Sequence, residues 1–267
     1  MSELMLADLS ILLVEPSKTQ QKIIAKHLQQ EDVTSIEFAE SISQAQSMIQ
    51  LRSPDLVACA MHFPDGSALD LVKILKQNPN TEDVPLMLVS SEHRKEQLEE
   101  FRQSGVVAIL PKPFDSKDLR TALNSTLDLL TADELELSYF DVHSLRVLVV
   151  DDSKLARNFV CRVLNTLGIV RLTQAHDGSD AIEKLKVNNY DLVVTDYNMP
   201  EVNGKELTEY IRNESDQSHI PVLMVSSESN EAHLANIEQS GVNAMCDKPF
   251  EPENVRKILY RLLEGDE

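Results

Sequence analysis

Residues 147–154 read VLVVDDSK, four consecutive aliphatic residues followed at once by two aspartates. An unbroken aliphatic and β-branched run of this kind is typical of a strand that is covered on both faces of a sheet. The amphipathic stretch that follows, residues 154–167, predicts a helix. The segment therefore predicts a strand and a helix joined by a short acidic loop.

The same pattern occurs earlier in the chain, where residues 11–18 read ILLVEPSK. Three further pairs of segments match at the same offset of 136 residues. They are PDLVACAMHFP (54–64) with YDLVVTDYNMP (190–200), VPLMLVSSE (84–92) with IPVLMVSSE (220–228), and QSGVVAILPKPF (103–114) with QSGVNAMCDKPF (239–250). The constant offset predicts two similar domains rather than a solenoid of short repeats.

In the second copy, five short apolar runs alternate with amphipathic stretches. The predicted strands are residues 147–150, 170–173, 192–195, 222–225 and 243–246, and the predicted helices are residues 154–167, 179–187, 204–212, 231–239 and 253–263. Five βα units with short loops predict an α/β fold with a doubly wound, five-stranded parallel sheet, and the first copy is expected to fold in the same way. We assign residues 1–132 to the first domain, 133–144 to an acidic linker and 145–267 to the second domain.

The composition limits the classes of function. The chain has 267 residues and a net charge of −19, which disfavours direct binding to nucleic acid or to an anionic membrane. The three cysteines, Cys59, Cys161 and Cys246, lie in apolar runs, so we expect no disulfide framework and a reducing compartment. No apolar stretch approaches ~20 residues and no basic flank precedes the short N-terminal apolar run, so we predict neither a membrane span nor a signal peptide. The expected location is the cytoplasm.

Polar residues follow the predicted strands of the second copy, at the edge where ligands bind in an open parallel sheet. The first strand leads into Asp151 and Asp152, the third into Asp196 and the fourth into Ser226, and Lys248 follows the fifth. Three converging carboxylates repel one another unless a cation neutralises them, and sites made only of oxygen ligands suit Mg²⁺ or Mn²⁺. The set predicts a site at which an aspartate attacks a phosphoryl group.

The second copy resembles the receiver domain of two-component response regulators over its whole length. VVDDS, TDYNMP, MVSSE and DKPF are motifs of that family, and they occur here in the family's order. The resemblance implies that Asp196 is the phospho-acceptor, Ser226 the switch hydroxyl and Lys248 the lysine that contacts the phosphoryl group. It also implies that the phosphodonor is a histidine kinase, a histidine phosphotransfer protein or a small phosphodonor.

The resemblance implies a metal site as well. Asp152 and Asp196, together with the backbone carbonyl of Asn198, are expected to bind Mg²⁺ or Mn²⁺, and Asp151 is expected to hold a metal-bound water. A receiver catalyses only its own phosphorylation and dephosphorylation, so we do not expect a conventional enzyme.

Three positions concern the switch and the lifetime of the phosphoaspartate. Met245 stands where the family usually has a tyrosine or phenylalanine whose rotation reports phosphorylation, and a packing role is the simpler interpretation of this flexible side chain. Asn198 and Glu228 lie two residues after Asp196 and Ser226, at positions that influence hydrolysis in this family. The phosphorylation chemistry is therefore predicted without the usual aromatic switch.

The first copy has lost most of this chemistry. Its matching positions are Glu15, Pro16, Ala60, Ser90 and Lys112. Because Ala60 offers no nucleophile and Pro16 no metal ligand, we expect neither phosphorylation nor Mg²⁺ binding. Lys112 is expected to neutralise Glu15.

We interpret the first copy as a degenerate receiver that acts through its surfaces, by binding a protein target or by forming a homodimer. The face that commonly mediates pairing of receivers corresponds here to residues 92–104, 107–110 and 115–130. Leu127, Leu129 and Leu130 either leave some apolar surface for a partner or are buried where the helix continues into the linker. His62, two residues after Ala60, is interpreted as a polar surface residue.

Several functions agree with these predictions. The leading one is a phosphorylation-controlled switch that acts through protein–protein contacts and has no DNA-binding domain. The alternatives are a phosphorelay intermediate or phosphate sink, and the receiver fragment of a larger regulator with a cyclase or phosphodiesterase output. A metal-dependent phosphohydrolase with an aspartyl nucleophile is disfavoured, because its D-x-D motif needs an acid where Asn198 stands.

Overall fold

The structure is a computed structural model that describes residues 4–131, 134–226 and 240–264. The chain divides into two compact units, Met1–Thr131 and Ala132–Glu267. Each unit has a five-stranded parallel sheet flanked by helices, which confirms the predicted α/β fold class. The helix predicted at 231–239 and the residue Glu228 lie outside the described residues.

The first unit alternates strands and helices along the chain. Its strands are β1 (Ser10–Val14), β2 (Ser35–Ala39), β3 (Leu56–Cys59), β4 (His62–Phe63), β5 (Gly66–Ser67), β6 (Leu86–Ser90) and β7 (Ala108–Pro111). Its helices are α1 (Lys18–Gln30), α2 (Ile42–Leu51), α3 (Ala68–Gln77), α4 (Lys95–Arg102) and α5 (Ser116–Thr131). The sheet order is β2-β1-β3-β6-β7, and β3 and β6 are buried along their whole length, as strands covered on both faces must be.

Strands β4 and β5 form a small antiparallel hairpin that the sequence patterns did not predict. Pro64 and Asp65 make its turn, and Gly66 has a φ of +152°, a conformation that favours glycine. The hairpin lies directly after β3, on the loop where the second unit carries no strand. The two units therefore differ in the segment that follows the third strand along the chain of each unit.

The second unit repeats the same topology. Its strands are β8 (Arg146–Val150), β9 (Arg171–Ala175), β10 (Leu192–Asp196), β11 (Val222–Ser226) and β12 (Ala244–Asp247). Its described helices are α6 (Lys154–Thr166), α7 (Gly178–Val187), α8 (Gly204–Asn213) and α9 (Pro252–Glu264). The sheet order is β9-β8-β10-β11-β12, so β8, β10 and β11 are interior strands and their carboxyl ends share one edge.

The bounds of β9 differ from the prediction of 170–173. Val170 is 56% exposed and stays outside the strand, whereas Ala175 is buried and pairs in register with Val150. The apolar run alone placed this edge strand too early, because the strand also includes the polar residues Thr173 and Gln174 and ends at Ala175.

Residues 134–144 of the predicted linker, together with Leu145, pack within the second unit. Leu135, Val142 and Leu145 are buried there. The backbone N–H of Leu135 donates to the carbonyl of Leu167 at 2.9 Å, at the end of α6. Glu264 of α9 accepts hydrogen bonds from the backbone N–H groups of this segment as well.

Further expectations concern burial. Cys59, Cys161 and Cys246 are free, buried thiols, as predicted. Burial raises the pKa of the Cys161 thiol to about 11 and that of Cys246 to about 12, so both stay protonated at neutral pH.

At the end of α5, Leu129 is buried whereas Leu127 is partly exposed, as is Leu130. Within the described ranges, no helix combines the length and the apolar character needed to cross a membrane.

Candidate functional site

The three aspartates of the second unit lie together at the carboxyl edge of the sheet. Asp151 and Asp152 directly follow β8, and Asp196 is the last residue of β10, its neighbour in the sheet. One carboxylate oxygen from each residue lies within 4.8 Å of the others. Asp151 and Asp196 are each 2% exposed, whereas Asp152 is exposed. Asp151 and Asp196 are therefore buried, and Asp152 is exposed to solvent.

Lys248 reaches into this cluster from the loop after β12. Its Nζ lies 3.1 Å from Oδ2 of Asp151 and 3.1 Å from Oδ2 of Asp196. The lysine side chain is buried, and its backbone N–H donates to the carbonyl of Ser226 at 3.0 Å. Ser226 ends β11 and is 1% exposed. The structure therefore brings the predicted lysine and hydroxyl to the same edge as the aspartates.

The electrostatics of the cluster favour a divalent cation. Three carboxylates and one ammonium carry a formal charge of −2, which a single divalent ion neutralises. Burial raises the pKa of Asp151 above the usual value for an aspartate, while the charge and hydrogen bond of Lys248 act in the opposite direction. Carboxylates in one small, partly buried cluster repel one another, and oxygen ligands around an excess of negative charge suit Mg²⁺ or Mn²⁺.

A glycine that the sequence analysis did not single out limits how the loop after β10 packs. A Cβ atom on Gly204, the first residue of α8, would lie 2.2 Å from the backbone oxygen of Asp196 and 3.1 Å from Cα of Tyr197. The helix start and the end of β10 therefore approach each other more closely than any other residue allows. The signal in the sequence was the difference between the copies, since Ala68 stands at the matching position of the first.

The remaining predicted positions lie at the margin of the cluster. The side chain of Asn198 is exposed. Met245 lies on β12, partly buried and in register with Met224 of β11. Met245 is thus accommodated within the sheet on a strand that leads into Lys248.

Among the residues that the structure describes, the matching edge of the first unit has no such cluster. Nζ of Lys112 donates to Oε2 of Glu15 at 3.2 Å, which confirms the predicted neutralisation of this acid. The hydroxyl of Ser90 donates to Sδ of Met61 at 3.6 Å, next to Ala60. The pair Glu15 and Lys112 carries no net charge, so the site needs no metal ion. His62 is exposed on the hairpin.

Comparisons with known proteins agree with the repeat. Residues 11–124 and 147–260 each match the family described as response regulator receiver domain. Chemotaxis protein CheY-3 of Vibrio cholerae serotype O1 is 35% identical over 121 residues, covering 45% of this chain and 93% of that protein. Chemotaxis protein CheY of Pseudomonas aeruginosa is 32% identical over 120 residues, covering 45% of this chain and 97% of that protein. A solved structure described as a putative two-component system response regulator/GGDEF domain protein aligns over 95% of this chain and 99% of its own, with 22% identity and a TM-score of 0.41.

Proposed function

The chain belongs to the response regulator receiver domain family, and on that premise we propose that Asp196 is the residue that accepts a phosphoryl group. The protein is a two-component response regulator with two receiver domains in tandem. Receiver domains of response regulators interact with histidine kinases or histidine phosphotransfer proteins, and one of these is the proposed donor. The observation that carries the proposal is the buried Asp196 beside Lys248, within a cluster of three carboxylates.

In the proposed reaction Asp196 is the nucleophile. A carboxylate oxygen forms a bond to phosphorus as the P–N bond to the donor's histidine breaks, and the released imidazole nitrogen takes up a proton. Lys248 lies 3.1 Å from Oδ2 of Asp196, so its charge is in place to stabilise the oxygens of the transferring group. Ser226, on the neighbouring strand end, donates a hydrogen bond to another of these oxygens.

The residues fit a divalent cation. Receiver domains bind Mg²⁺ through an acidic pocket, and the aspartates of the second unit form a cluster of that kind. We assign Asp152, Asp196 and the backbone carbonyl of Asn198 as the ligands of Mg²⁺ or Mn²⁺, with Asp151 accepting a hydrogen bond from a metal-bound water. The ion would neutralise charge on the phosphoryl group during transfer. The support is the set of oxygen ligands and the formal charge of −2.

The first receiver domain is proposed to act without chemistry of its own. Its neutral pair of Glu15 and Lys112 and its alanine at position 60 support this. We propose domains at 1–132 and 145–267 connected by 133–144, output by contact with a protein target, and homodimerisation through the first domain. The protein is proposed to work in the cytoplasm as a signalling protein whose only catalysis is its own phosphorylation and dephosphorylation.

A labelling experiment tests the proposal. The full chain, incubated with Mg²⁺ and either acetyl phosphate or a phosphorylated histidine kinase, is expected to acquire an acid-stable, base-labile acyl phosphate. Asp196→Asn should abolish it. Asp191→Asn is the matched control, because Asp191 directly precedes the same strand and pairs with Arg146 at the opposite edge of the sheet. Labelling of the Asp196 variant at the wild-type level would refute the assignment.

A further inference from the structure

The side chain of Arg157 forms hydrogen bonds that hold the loop carrying Asp151 and Asp152. Arg157 lies in the first turn of α6, and its Nη1 donates to the backbone carbonyl of Asp151 at 2.6 Å. Its Nε donates to Oε1 of Gln174, on β9, at 2.9 Å. Arg157 therefore joins the loop after β8, the helix that follows it and the neighbouring strand.

The first unit makes the same hydrogen bond to the loop after its first strand, but with a different residue. Gln21 occupies the matching position on α1, and its Nε2 donates to the backbone carbonyl of Glu15 at 2.7 Å. Phe38 stands where the second unit has Gln174, and its ring accepts no comparable hydrogen bond. Both units therefore have a hydrogen bond to the carbonyl of the first acid. In the second unit, Arg157 makes a further hydrogen bond to Gln174.

We propose that Arg157 is a positioning residue for the Mg²⁺-dependent phosphorylation of the second unit. The inference rests on the proposed function of Asp196. The carbonyl that Arg157 holds belongs to the planar peptide bond between Asp151 and Asp152, so its orientation sets the direction in which both side chains leave the backbone. Carboxylates that repel one another move apart unless their backbone is fixed, and this hydrogen bond fixes it.

Two substitutions separate the hydrogen bond from the charge. Arg157→Met removes both hydrogen bonds and keeps a side chain of similar length. Arg157→Gln keeps the hydrogen bond to the carbonyl, as Gln21 does in the first unit. Titration calorimetry of the full chain with Mg²⁺ is expected to show affinity about tenfold weaker for Arg157→Met, as for loss of a hydrogen bond with a charged partner. Arg157→Gln is expected to stay within about threefold of the wild type.

Arg146→Met is the matched control. Arg146 also bridges two segments, through Asp191, but at the opposite edge of the same sheet, so its replacement should leave Mg²⁺ affinity unchanged. Arg157→Ala is a second variant without these hydrogen bonds, and alanine has high helix propensity. It controls for any change in packing that methionine causes. Circular dichroism and thermal unfolding verify the fold of each variant.

Phosphorylation kinetics give an independent readout. With acetyl phosphate, the rate of Arg157→Met should be about tenfold low at limiting Mg²⁺ and should approach the wild-type rate at saturating Mg²⁺, because excess ion compensates for ligands that are less well placed. Three results would overturn the inference. The first is wild-type Mg²⁺ affinity in Arg157→Met or Arg157→Ala. The second is a phosphorylation rate of Arg157→Met that stays low at saturating Mg²⁺, and the third is an Arg157→Gln variant as impaired as Arg157→Met. A wild-type chain that neither binds Mg²⁺ nor becomes phosphorylated would instead overturn the proposed function.

Discussion

At the scale of single residues, a few substitutions between two similar sequences decide which unit has a charged site. The second unit gathers three carboxylates and one lysine, whereas the first retains one acid and its lysine partner. In the first unit Met61 accepts a hydrogen bond from Ser90, the counterpart of Ser226. The two sites therefore differ at the proposed nucleophile, at a proposed metal ligand and in the contact that the serine makes.

Restoring the nucleophile alone should not restore the chemistry of the first unit. In an Asp196→Asn background, we expect Ala60→Asp to give no detectable phosphorylation, because Pro16 supplies no side-chain ligand for a metal ion. Ala60→Asp combined with Pro16→Asp should gain measurable Mg²⁺ affinity. Calorimetry and labelling with acetyl phosphate check both statements. Labelling of the single Ala60→Asp variant at the rate of wild-type Asp196 would contradict them.

Gly204→Ala should damage the second unit at its site. The added methyl group would lie 2.2 Å from the backbone oxygen of Asp196, so the helix start or the strand end must move. We expect a loss of about 2 kcal/mol in the free energy of unfolding and a marked loss of phosphorylation. Urea unfolding and labelling measure the two effects.

Ala68→Gly, the reciprocal change in the first unit, is the control for this prediction. It should cost about 1 kcal/mol through helix propensity and leave Asp196 phosphorylation intact. A Gly204→Ala variant that is no less stable than the wild type would show that the close approach is unimportant.

The residues of the candidate site were predictable because each follows an apolar strand, and the ends of parallel strands meet at one edge. Gly204 and Arg157 were not predicted. Their importance depends on distances to the backbone of Asp196 and Asp151, and residue type in a helix does not reveal such distances. Comparing the two copies position by position is the step that would have drawn attention to both.

At the scale of elements, the hairpin of β4 and β5 connects two helices of the first unit. Asp65, in its turn, accepts hydrogen bonds from the backbone N–H groups of Ile42 and Ser43 at 2.9 and 3.0 Å and from the hydroxyl of Ser43. The carboxylate thus caps α2 from a distant part of the chain. Each strand of this hairpin has only two residues, too few for a periodic pattern, so apolar periodicity did not predict it.

The cap predicts a pH dependence for the first unit. Hydrogen bonds from Ser43 and Ile42 hold the pKa of Asp65 below its usual range. A lowered pKa in the folded state stabilises the fold at pH values above the ordinary aspartate pKa, and this stabilisation is lost as the pH falls through the lowered pKa. Asp65→Ala should therefore lower the unfolding midpoint at neutral pH, and the difference from the wild type should vanish in strong acid.

Urea unfolding at several pH values measures this difference. Glu100→Ala, a change of an exposed acid on α4, serves as the control and should show no such pH-dependent difference. An Asp65→Ala variant whose midpoint matches the wild type at neutral pH would contradict the capping role.

Apart from the hairpin of β4 and β5, the described strands and helices of both units were predictable, because buried parallel strands are continuously apolar and the two copies supported each other. The packing of residues 134–145 was not. This segment is acidic and lacks periodicity, so only its few apolar residues, such as Leu135 and Val142, indicate that it packs. A single buried leucine in a polar stretch does not distinguish a packed segment from an exposed linker.

The packed segment gives a prediction for the stability of the second unit. Leu135 is 4% exposed, and Leu135→Ala should cost about 3 kcal/mol because it removes buried apolar contacts and leaves a cavity. Val187→Ala, at a position that is 78% exposed in the same unit, should change stability by less than about 0.5 kcal/mol. Urea unfolding of the full chain measures both variants. Equal stability of the two would mean that the segment behaves as a linker in solution.

At the scale of the whole molecule, one chain combines a receiver with a charged, metal-suited site and a receiver whose matching site is neutral. Both have five-stranded parallel sheets, so the first has the same fold without the three clustered carboxylates of the second. We propose that the protein has one phosphorylation site, at Asp196, and that the first receiver acts through its surface.

Intact-mass spectrometry of the full chain counts the phosphoryl groups that it accepts. After incubation with acetyl phosphate and Mg²⁺, we expect a single added phosphoryl group per chain in the wild type and none in Asp196→Asn. Removal of Mg²⁺ with a chelator should also leave the mass unchanged. Two additions per chain, or one that persists in Asp196→Asn, would contradict the assignment of a single site to Asp196.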